Sequence, residues 1–292
     1  MEKKTKKFIG LYGAAGSGKD YFCSMLQFFI EYGYLDQVSN CDINDDNQII
    51  KTYAKFLEWK NNQVSNSIPK NIWEKSTRLA FADIPKEAMA SVYGIPLELL
   101  HDSKKKDQTF INLKTLKLSE TPFENRDGSI AISDQEFYEM ITSDTFRNYD
   151  GSIVQSQNIM KLQSLLADGQ LWMSIRNLMT YFGTYVCRGF IDPNIWVTRL
   201  LNHPDFERED KIIIVTDIRF INEHDALKSN GFTIIRIDNP SNEKNVGGIA
   251  EKHYDEFKPD YVFNNKPNDM LYTLRDFKET LLWLFDRFHN QN

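Results

Sequence analysis

Seven residues near the start of the chain have the types and spacing that hold a polyphosphate. Gly13-Ala14-Ala15-Gly16-Ser17-Gly18-Lys19 fits G-x-x-x-x-G-K. Glycines let the backbone turn tightly and aim N–H groups at phosphate oxygens. A helix starting directly after the loop adds the positive end of its dipole. Lys19 supplies a mobile ammonium for the β and γ phosphates. The pattern predicts an ATP site over Gly13, Ala14, Ala15, Gly16, Ser17, Gly18, Lys19 and Asp20. Ser or Thr usually follows the lysine and holds Mg2+ through its hydroxyl, but here Asp20 stands in that place. A carboxylate can hold Mg2+ directly or through water, and it can equally cap a helix start. Spacing alone does not choose between these.

A second acidic position lies far along the chain. Ile212 to Thr216 delivers Asp217 at the carboxyl end of an apolar run, with Arg219 two residues on. In open α/β sheets ligands bind at the carboxyl ends of strands. An aspartate there can orient Mg2+ or its water shell, and the arginine can meet a phosphate. The bland alternative is a helix-capping aspartate followed by a surface arginine.

Candidate acceptor groups fall between these two places. Asp83 and Lys86 sit at a predicted strand end and helix start. Asp83 is suited to contact a sugar hydroxyl or a base, to orient an arginine, or simply to cap a helix. Arg176 and Arg188 flank the glycine of Gly183-Thr184, which reads as a turn. An acceptor monophosphate is a dianion, and bidentate arginines bind such a group well. Trp196 can stack on a base or fill core. His253 has no second His or Cys at ligand spacing, so a metal role for it is rejected.

The elements that must position these groups follow from periodicity. Phe8 to Tyr12 reads as a buried strand and Lys19 to Tyr32 as a helix. Residues 36–70 read as a polar insertion with one helix over Gln48 to Asn61. Arg78 to Phe81 reads as a strand and Ile84 to Tyr93 as a helix that Gly94 ends. Residues 101–151 read as a peripheral insertion or flap, with a helix around Asp134 to Ile141 and no core of its own. Gln155 to Phe182 reads as two helices broken near Asp168-Gly169. Pro193 to Leu201 reads as a helix with Asp192 as its N-cap. Ile212 to Val215 is apolar at every position, as a central parallel strand would be. A helix over Asn222 to Asn230, strands over Phe232 to Ile237 and Tyr261 to Phe263, and a terminal helix over Asp269 to Phe288 complete the chain. Strands alternating with helices imply an α/β fold with a mostly parallel sheet, three layers deep, in one domain carrying the two insertions.

Composition narrows the function. With 35 Lys and Arg against 41 Asp and Glu, the formal charge is −6, so no bulk positive field invites nucleic acid. The three cysteines, Cys23, Cys41 and Cys187, form no CxxC pair, which suits a reducing compartment. No apolar stretch has the length of a membrane span or of a signal peptide core, and the expectation is a cytoplasmic protein. The terminal helix is left either to mediate a dimer or to close the core.

Five segments in order resemble the bacteriophage deoxynucleoside monophosphate kinase family, a P-loop branch related to adenylate-kinase-like enzymes. They are GAAGSGKD (13–20), LAFADIPKEAMASVYGI (79–95), SIRNLMTYFGTYVCRGFIDPNIWV (174–197), VTDIRFINEHDAL (215–227) and HYDEFKPDYVFNN (253–265). The family ends its phosphate loop in Gly-Lys-Asp, as here. The resemblance implies ATP and Mg2+, a deoxynucleoside monophosphate as small-molecule partner, and a homodimer. It also implies that Asp83, Lys86, Arg176 and Arg188 line the acceptor site, where Thr184 and Trp196 are further candidates. Lys19, Asp217 and Arg219 then act at the transferred phosphate, with Asp20 and Asp217 near the metal. His253 and Glu256 match a further family motif. A viral origin, and with it the host cytoplasm, is implied by the same resemblance. Thr180, Ile221 and Asp255 depart from the residues the family often has at those places. The alternatives are a P-loop kinase for a phosphomevalonate- or dephospho-coenzyme-A-like acceptor, or an ATP-binding regulatory or assembly protein.

Overall fold

The structure is a computed structural model that describes residues 7–36, 42–62, 73–120, 164, 166–169, 171–240 and 254–289. In chain order the elements are β1 (Phe8–Tyr12), α1 (Lys19–Glu31), α2 (Asp46–Asn62), β2 (Ser76–Ala80), α3 (Asp83–Tyr93), α4 (Leu97–His101), α5 (Lys105–Gln108), β3 (Phe110–Asn112), β4 (Leu118–Ser119) and β5 (Trp172–Ser174). Then come α6 (Ile175–Thr180), a π-helix (Tyr181–Ile191), α7 (Ile195–Leu201), β6 (Ile212–Thr216), α8 (Ile221–Ser229), β7 (Thr233–Asp238), β8 (Tyr261–Asn264) and α9 (Met270–His289). The chain divides into two compact units. One is Met1–Ala82 with Trp196–Asn292, and the other is Asp83–Ile195.

The first unit is built on a five-stranded, wholly parallel sheet in the order β2-β6-β1-β7-β8. Every residue of β1 and β6 is buried, because a central parallel strand is covered on both faces and must be apolar throughout. One face packs against α1, α2 and α9. There Phe22, Phe29, Phe56, Phe263 and Phe277 form an aromatic core with little or no exposure. On the other face Gly10 of β1 lies under Leu227 of α8. A side chain at Gly10 would meet Ile234 Cδ1 at 2.6 Å and Ile218 Cδ1 at 2.9 Å, so those two isoleucine side chains would have to shift to admit it. A parallel sheet flanked by helices, with a glycine loop after its central strand, is the three-layer α/β architecture of P-loop nucleotide-binding proteins.

Most elements of this unit fall where periodicity predicts them. Gly231 ends α8 in the left-handed region, at φ +80°, as a C-terminal glycine does. The reading of 36–70 as a peripheral polar insertion needs amendment. Ile49, Tyr53 and Phe56 of α2 belong to the main core. The terminal helix α9 closes that core through Leu274, Phe277, Leu281 and Leu284.

The second unit holds a small antiparallel sheet in the order β4-β3-β5. A separate cluster forms its core, including Met89, Leu100, Ile111, Met173, Ile175 and Leu178. Residues 97–119, expected to lie in part in a peripheral stretch, thus give Leu100 and Ile111 to a core. Of the two helices predicted over Gln155 to Phe182, the first lies mostly outside the described residues, and the second starts later than expected, at Ile175. Gly169 breaks the chain at φ +71°, but Trp172–Ser174 then pairs with β3 as a strand. Tertiary pairing overrides a helical pattern that is only a few residues long. Gly183 is not a turn: it is buried within the π-helix Tyr181–Ile191. Helix α7 starts at Ile195, two residues later than predicted, and Asp192 caps the preceding turn by accepting from the Asn194 N–H (2.8 Å). The helix expected around Asp134 to Ile141 lies outside the described residues.

Phe277 packs against Phe22, Phe29 and Phe263 with no exposure. Phe277→Ala should therefore lose about 3–5 kcal/mol of stability. A urea denaturation series checks this, and an unchanged midpoint would contradict the packing described.

Candidate active site

Because every strand of the first unit runs the same way, the segments following β1, β2, β6, β7 and β8 all leave from one edge of the sheet. That edge is where ligands bind in open α/β folds. Residues far apart in sequence meet there.

The loop after β1 is wound by three glycines with positive φ: Gly13 at +154°, Gly16 at +76° and Gly18 at +94°. A Cβ at Gly13 would lie 2.2 Å from the Ile237 carbonyl, so the loop can pass β7 only as glycine. Lys19, the first residue of α1, folds its ammonium back over the loop. Its Nζ donates to the carbonyls of Gly13 (2.6 Å) and Ala14 (2.9 Å). Ser17 Oγ is a buried polar atom with no hydrogen-bond partner among the described residues. Buried polar atoms are nearly always satisfied, so an orphan inside a loop of this shape marks a place for a ligand oxygen. Two asparagines hold the loop from the other side. Asn265 Nδ2, after β8, donates to the Ser17 carbonyl (2.8 Å), and Asn239 Nδ2, after β7, faces the Gly16 carbonyl at 3.4 Å.

Asp217 follows β6 and is one of two described non-glycine residues with positive φ, at +60°. Its carboxylate accepts the N–H groups of Phe81 and Ala82, both at 3.0 Å. The aspartate therefore ties the end of β6 to the end of β2. The alternative role of Asp217 as a helix cap is not what the structure shows. The buried Glu223 accepts from the N–H groups of Arg219 (2.8 Å) and Phe220 (3.1 Å) at the start of α8 instead. Burial pushes the Asp217 carboxyl up to about 6, with Glu223 raising it further and Arg219 and the Ala82 N–H pulling it down. Arg219 itself is exposed.

Asp20 lies in the first turn of α1 with its side chain 88% exposed, and Arg78 of β2 reaches it at 3.4 Å. The cap position of α1 is Gly18, so Asp20 is not the cap. Arg78 also lies close enough to Asp217 to favour its ionised form. Sequence reasoning missed Arg78, Glu223 and Asn265. Glu223 carried a usable signal, an acid three residues into a helix. Arg78 and Asn265 carried none that spacing could reveal.

In the second unit, Lys86 Nζ donates to Asp83 Oδ1 at 3.0 Å, and both side chains are largely buried. His101 joins them, with Nδ1 at 3.4 Å from Lys86 Nζ. Arg176 is held by the carboxylate of Asp107 through a two-point contact and by the Ser103 carbonyl at 3.2 Å. The Asp107 carboxyl is held below its usual range by that guanidinium. Thr184 and Arg188 lie on the π-helix, each half-buried. Trp196, in the first unit, is 6% exposed, which favours core over stacking on a base. Glu256 is exposed on a short 3-10 turn (Tyr254–Glu256), and His253 lies outside the described residues.

A metal at this site would have Asp20 and Asp217 as oxygen donors. No group of three or more potential ligands occurs among the described residues. Mg2+ commonly keeps several waters and takes one or two carboxylates plus substrate phosphates, so either carboxylate has the donor chemistry it takes. Among the described residues no helix is long and apolar enough to cross a membrane.

A phosphate-type loop after the central strand of a parallel sheet, with an aspartate at the end of the neighbouring strand, is the arrangement of a P-loop NTPase-like three-layer fold. Comparison with protein families is more specific. The chain matches the deoxynucleotide monophosphate kinase family over residues 103–276, more than half its length, and it belongs to that family. No curated relative matches it. The matched segment covers Arg176, Thr184, Arg188, Trp196, Asp217, Arg219, His253 and Glu256. It does not include the phosphate loop, Asp83 or Lys86.

The raised Asp217 carboxyl has a measurable consequence. Its folded-state value lies above the ordinary 3.8, so the folded protein binds this proton more tightly than the unfolded chain. Its contribution to stability grows as pH falls from about 6 towards 3.8. Carbon-13 carboxyl NMR of metal-free protein should show one aspartate titrating near 6, absent in Asp217→Asn. The stability difference between the two proteins should move towards wild type between about pH 7 and pH 4.5. An Asp217 that titrates near the ordinary carboxylate value would contradict the burial described.

Proposed function

We propose that this protein transfers the γ-phosphate of ATP to a deoxynucleoside monophosphate, giving a deoxynucleoside diphosphate and ADP. The single observation that carries the donor half is the loop Gly13–Lys19, with its buried unpartnered Ser17 Oγ and the Lys19 ammonium folded over it. Family membership carries the acceptor half.

In this reading an oxygen of the acceptor phosphate attacks the γ-phosphorus as the bond to the β–γ bridging oxygen breaks, and ADP leaves. Positioning and charge neutralisation do most of the work in such a transfer. Lys19 moves from its carbonyl partners to the β and γ oxygens. Arg219 meets charge on the transferred group. Lys86, Arg176 and Arg188 bind the acceptor dianion, with Asp83 and Thr184 placing its sugar or base. Asp107 then exchanges Arg176 with the acceptor phosphate, since one guanidinium fork serves one anion bidentately. Asp20 and Asp217 would hold Mg2+, directly or through water, and when bound the ion neutralises the β and γ oxygens. Trp196 takes no part in this reading, because its burial favours a place in the core.

The reading suits a cytoplasmic protein acting on small molecules rather than nucleic acid, consistent with its net charge of −6.

Lys19→Ala should reduce kcat at least a hundredfold while leaving the thermal transition within about 2 °C of wild type. That magnitude reflects loss of a charge used in the transition state. ADP release from ATP and Mg2+ should rise strongly with one or more of dAMP, dCMP, dGMP and dTMP. The ribose counterparts and a phosphomevalonate or dephospho-coenzyme A control complete the panel. Stimulation by those controls alone would replace the acceptor assignment. ATP binding with no stimulation by any acceptor would replace the kinase reading with a nucleotide switch.

A further inference from the structure

Asn265 occupies an unusual place for a side chain outside the phosphate-loop sequence. It follows β8, is 9% exposed, and is fixed by its own N–H, which donates to the Asp238 carbonyl at 2.7 Å. Its side chain meets the Ser17 carbonyl at 2.8 Å. A carbonyl can only accept, so the facing group must be the amide NH2. The same group lies flush against Gly18, where a Cβ would come within 2.2 Å of Nδ2. The asparagine thus fills the space that a side chain at position 18 would take.

The peptide joining Ser17 to Gly18 is planar and trans, so its C=O and N–H point in opposite directions. Holding the Ser17 carbonyl on the Asn265 side turns the Gly18 N–H to the other side. Asn239 approaches the preceding Gly16 carbonyl in the same sense at 3.4 Å. An anion-binding nest needs successive N–H groups held inward together, and a loop rich in glycine has many other conformations open to it.

We propose that Asn265 is a positioning residue for the phosphate loop, holding the Ser17 carbonyl so that the Gly18 N–H is preset towards the donor phosphates. This rests on the reading that the loop binds those phosphates. Asn265 touches no reacting atom in this account. It acts through the loop, and its effect falls on polyphosphate affinity and not on the acceptor.

Asn265→Leu removes the donor at similar size without adding charge. Isothermal calorimetry with ATP and with inorganic tripolyphosphate is the direct readout. For Asn265→Leu both dissociation constants should rise at least tenfold, while the KM for the deoxynucleoside monophosphate stays within twofold of wild type. Wild-type affinity in a folded Asn265→Leu protein overturns the proposal. So does a parallel loss of donor and acceptor affinity that tracks a fall in melting temperature, because a merely structural asparagine behaves that way. If Asn265→Leu does not fold, Asn265→Ala decides, with at least a threefold loss expected and no loss overturning. Lys19→Ala separates this inference from the reading beneath it. If Lys19→Ala abolishes tripolyphosphate binding and Asn265→Leu does not change it, only the positioning role falls. If wild type binds neither ATP nor tripolyphosphate, both fall together.

Discussion

The backbone pairing of β1 with β6 on one side and β7 on the other is the constraint on which the site depends. It forces the segment after Tyr12 to emerge between the ends of those two strands. Gly13 then meets the Ile237 carbonyl of β7, and the Leu11 carbonyl accepts from Ile218, next to Asp217, at 3.2 Å. Parallel pairing has no hairpin to set its register, so register is set by burial. A one-residue slip of β1 would carry Gly10 away from Ile234, Ile218 and Leu227 and force a larger side chain into that contact.

Polar groups at the sheet edge are held by backbone partners more than by each other. Asp217 spends both carboxylate oxygens on peptide N–H groups of the neighbouring strand end. Glu223 does the same for the start of α8, and Asn265 and Asn239 do it for the loop carbonyls. Such contacts order only one side chain each, because the partner is a backbone group. The long cations behave differently. Lys19, Arg78 and Arg176 are held by contacts that a ligand anion can replace, and Arg78 and Arg176 remain substantially exposed. Rigid anions and amides with exchangeable cations are what an anionic ligand needs, since cations must be able to reorganise around it.

The phosphate-loop pattern and the family match are independent lines of reasoning, because they rest on different residues. The loop ends at Asp20 and the match begins at residue 103. The matched stretch includes much of the second unit and the strands β6, β7 and β8. It therefore covers the segment that carries Arg176 and Arg188 and the strand end that carries Asp217. The second unit has its own small core and an eleven-residue π-helix. π-Helix is rare and frequently lies at functional sites, and here it carries Thr184 and Arg188.

By itself the sequence determined the parallel α/β core. An uninterrupted apolar run such as Ile212 to Val215 can be stable only when buried on both faces, and three closely spaced glycines before a lysine need a strand behind them and a helix ahead. Those are local facts, and local chemistry makes them legible. Tertiary structure alone decided the rest. The helix over 46–62 looks polar by composition, yet Ile49, Tyr53 and Phe56 enter the main core. Trp172–Ser174 became a strand because β3 offered an unpaired edge. Gly183 looked like a turn but is a small residue inside a helix. Asp217 could have capped α8, but Glu223 already satisfied those N–H groups, which left the aspartate to join two strand ends. Arg78 lay outside every motif, and Asn265 ended the segment 253–265 with no role attached to it. Each matters through a partner dozens to hundreds of residues away, Asp20 for one and Ser17 for the other. Such pairings are set by how strands order themselves in the sheet, and no spacing along the chain encodes them.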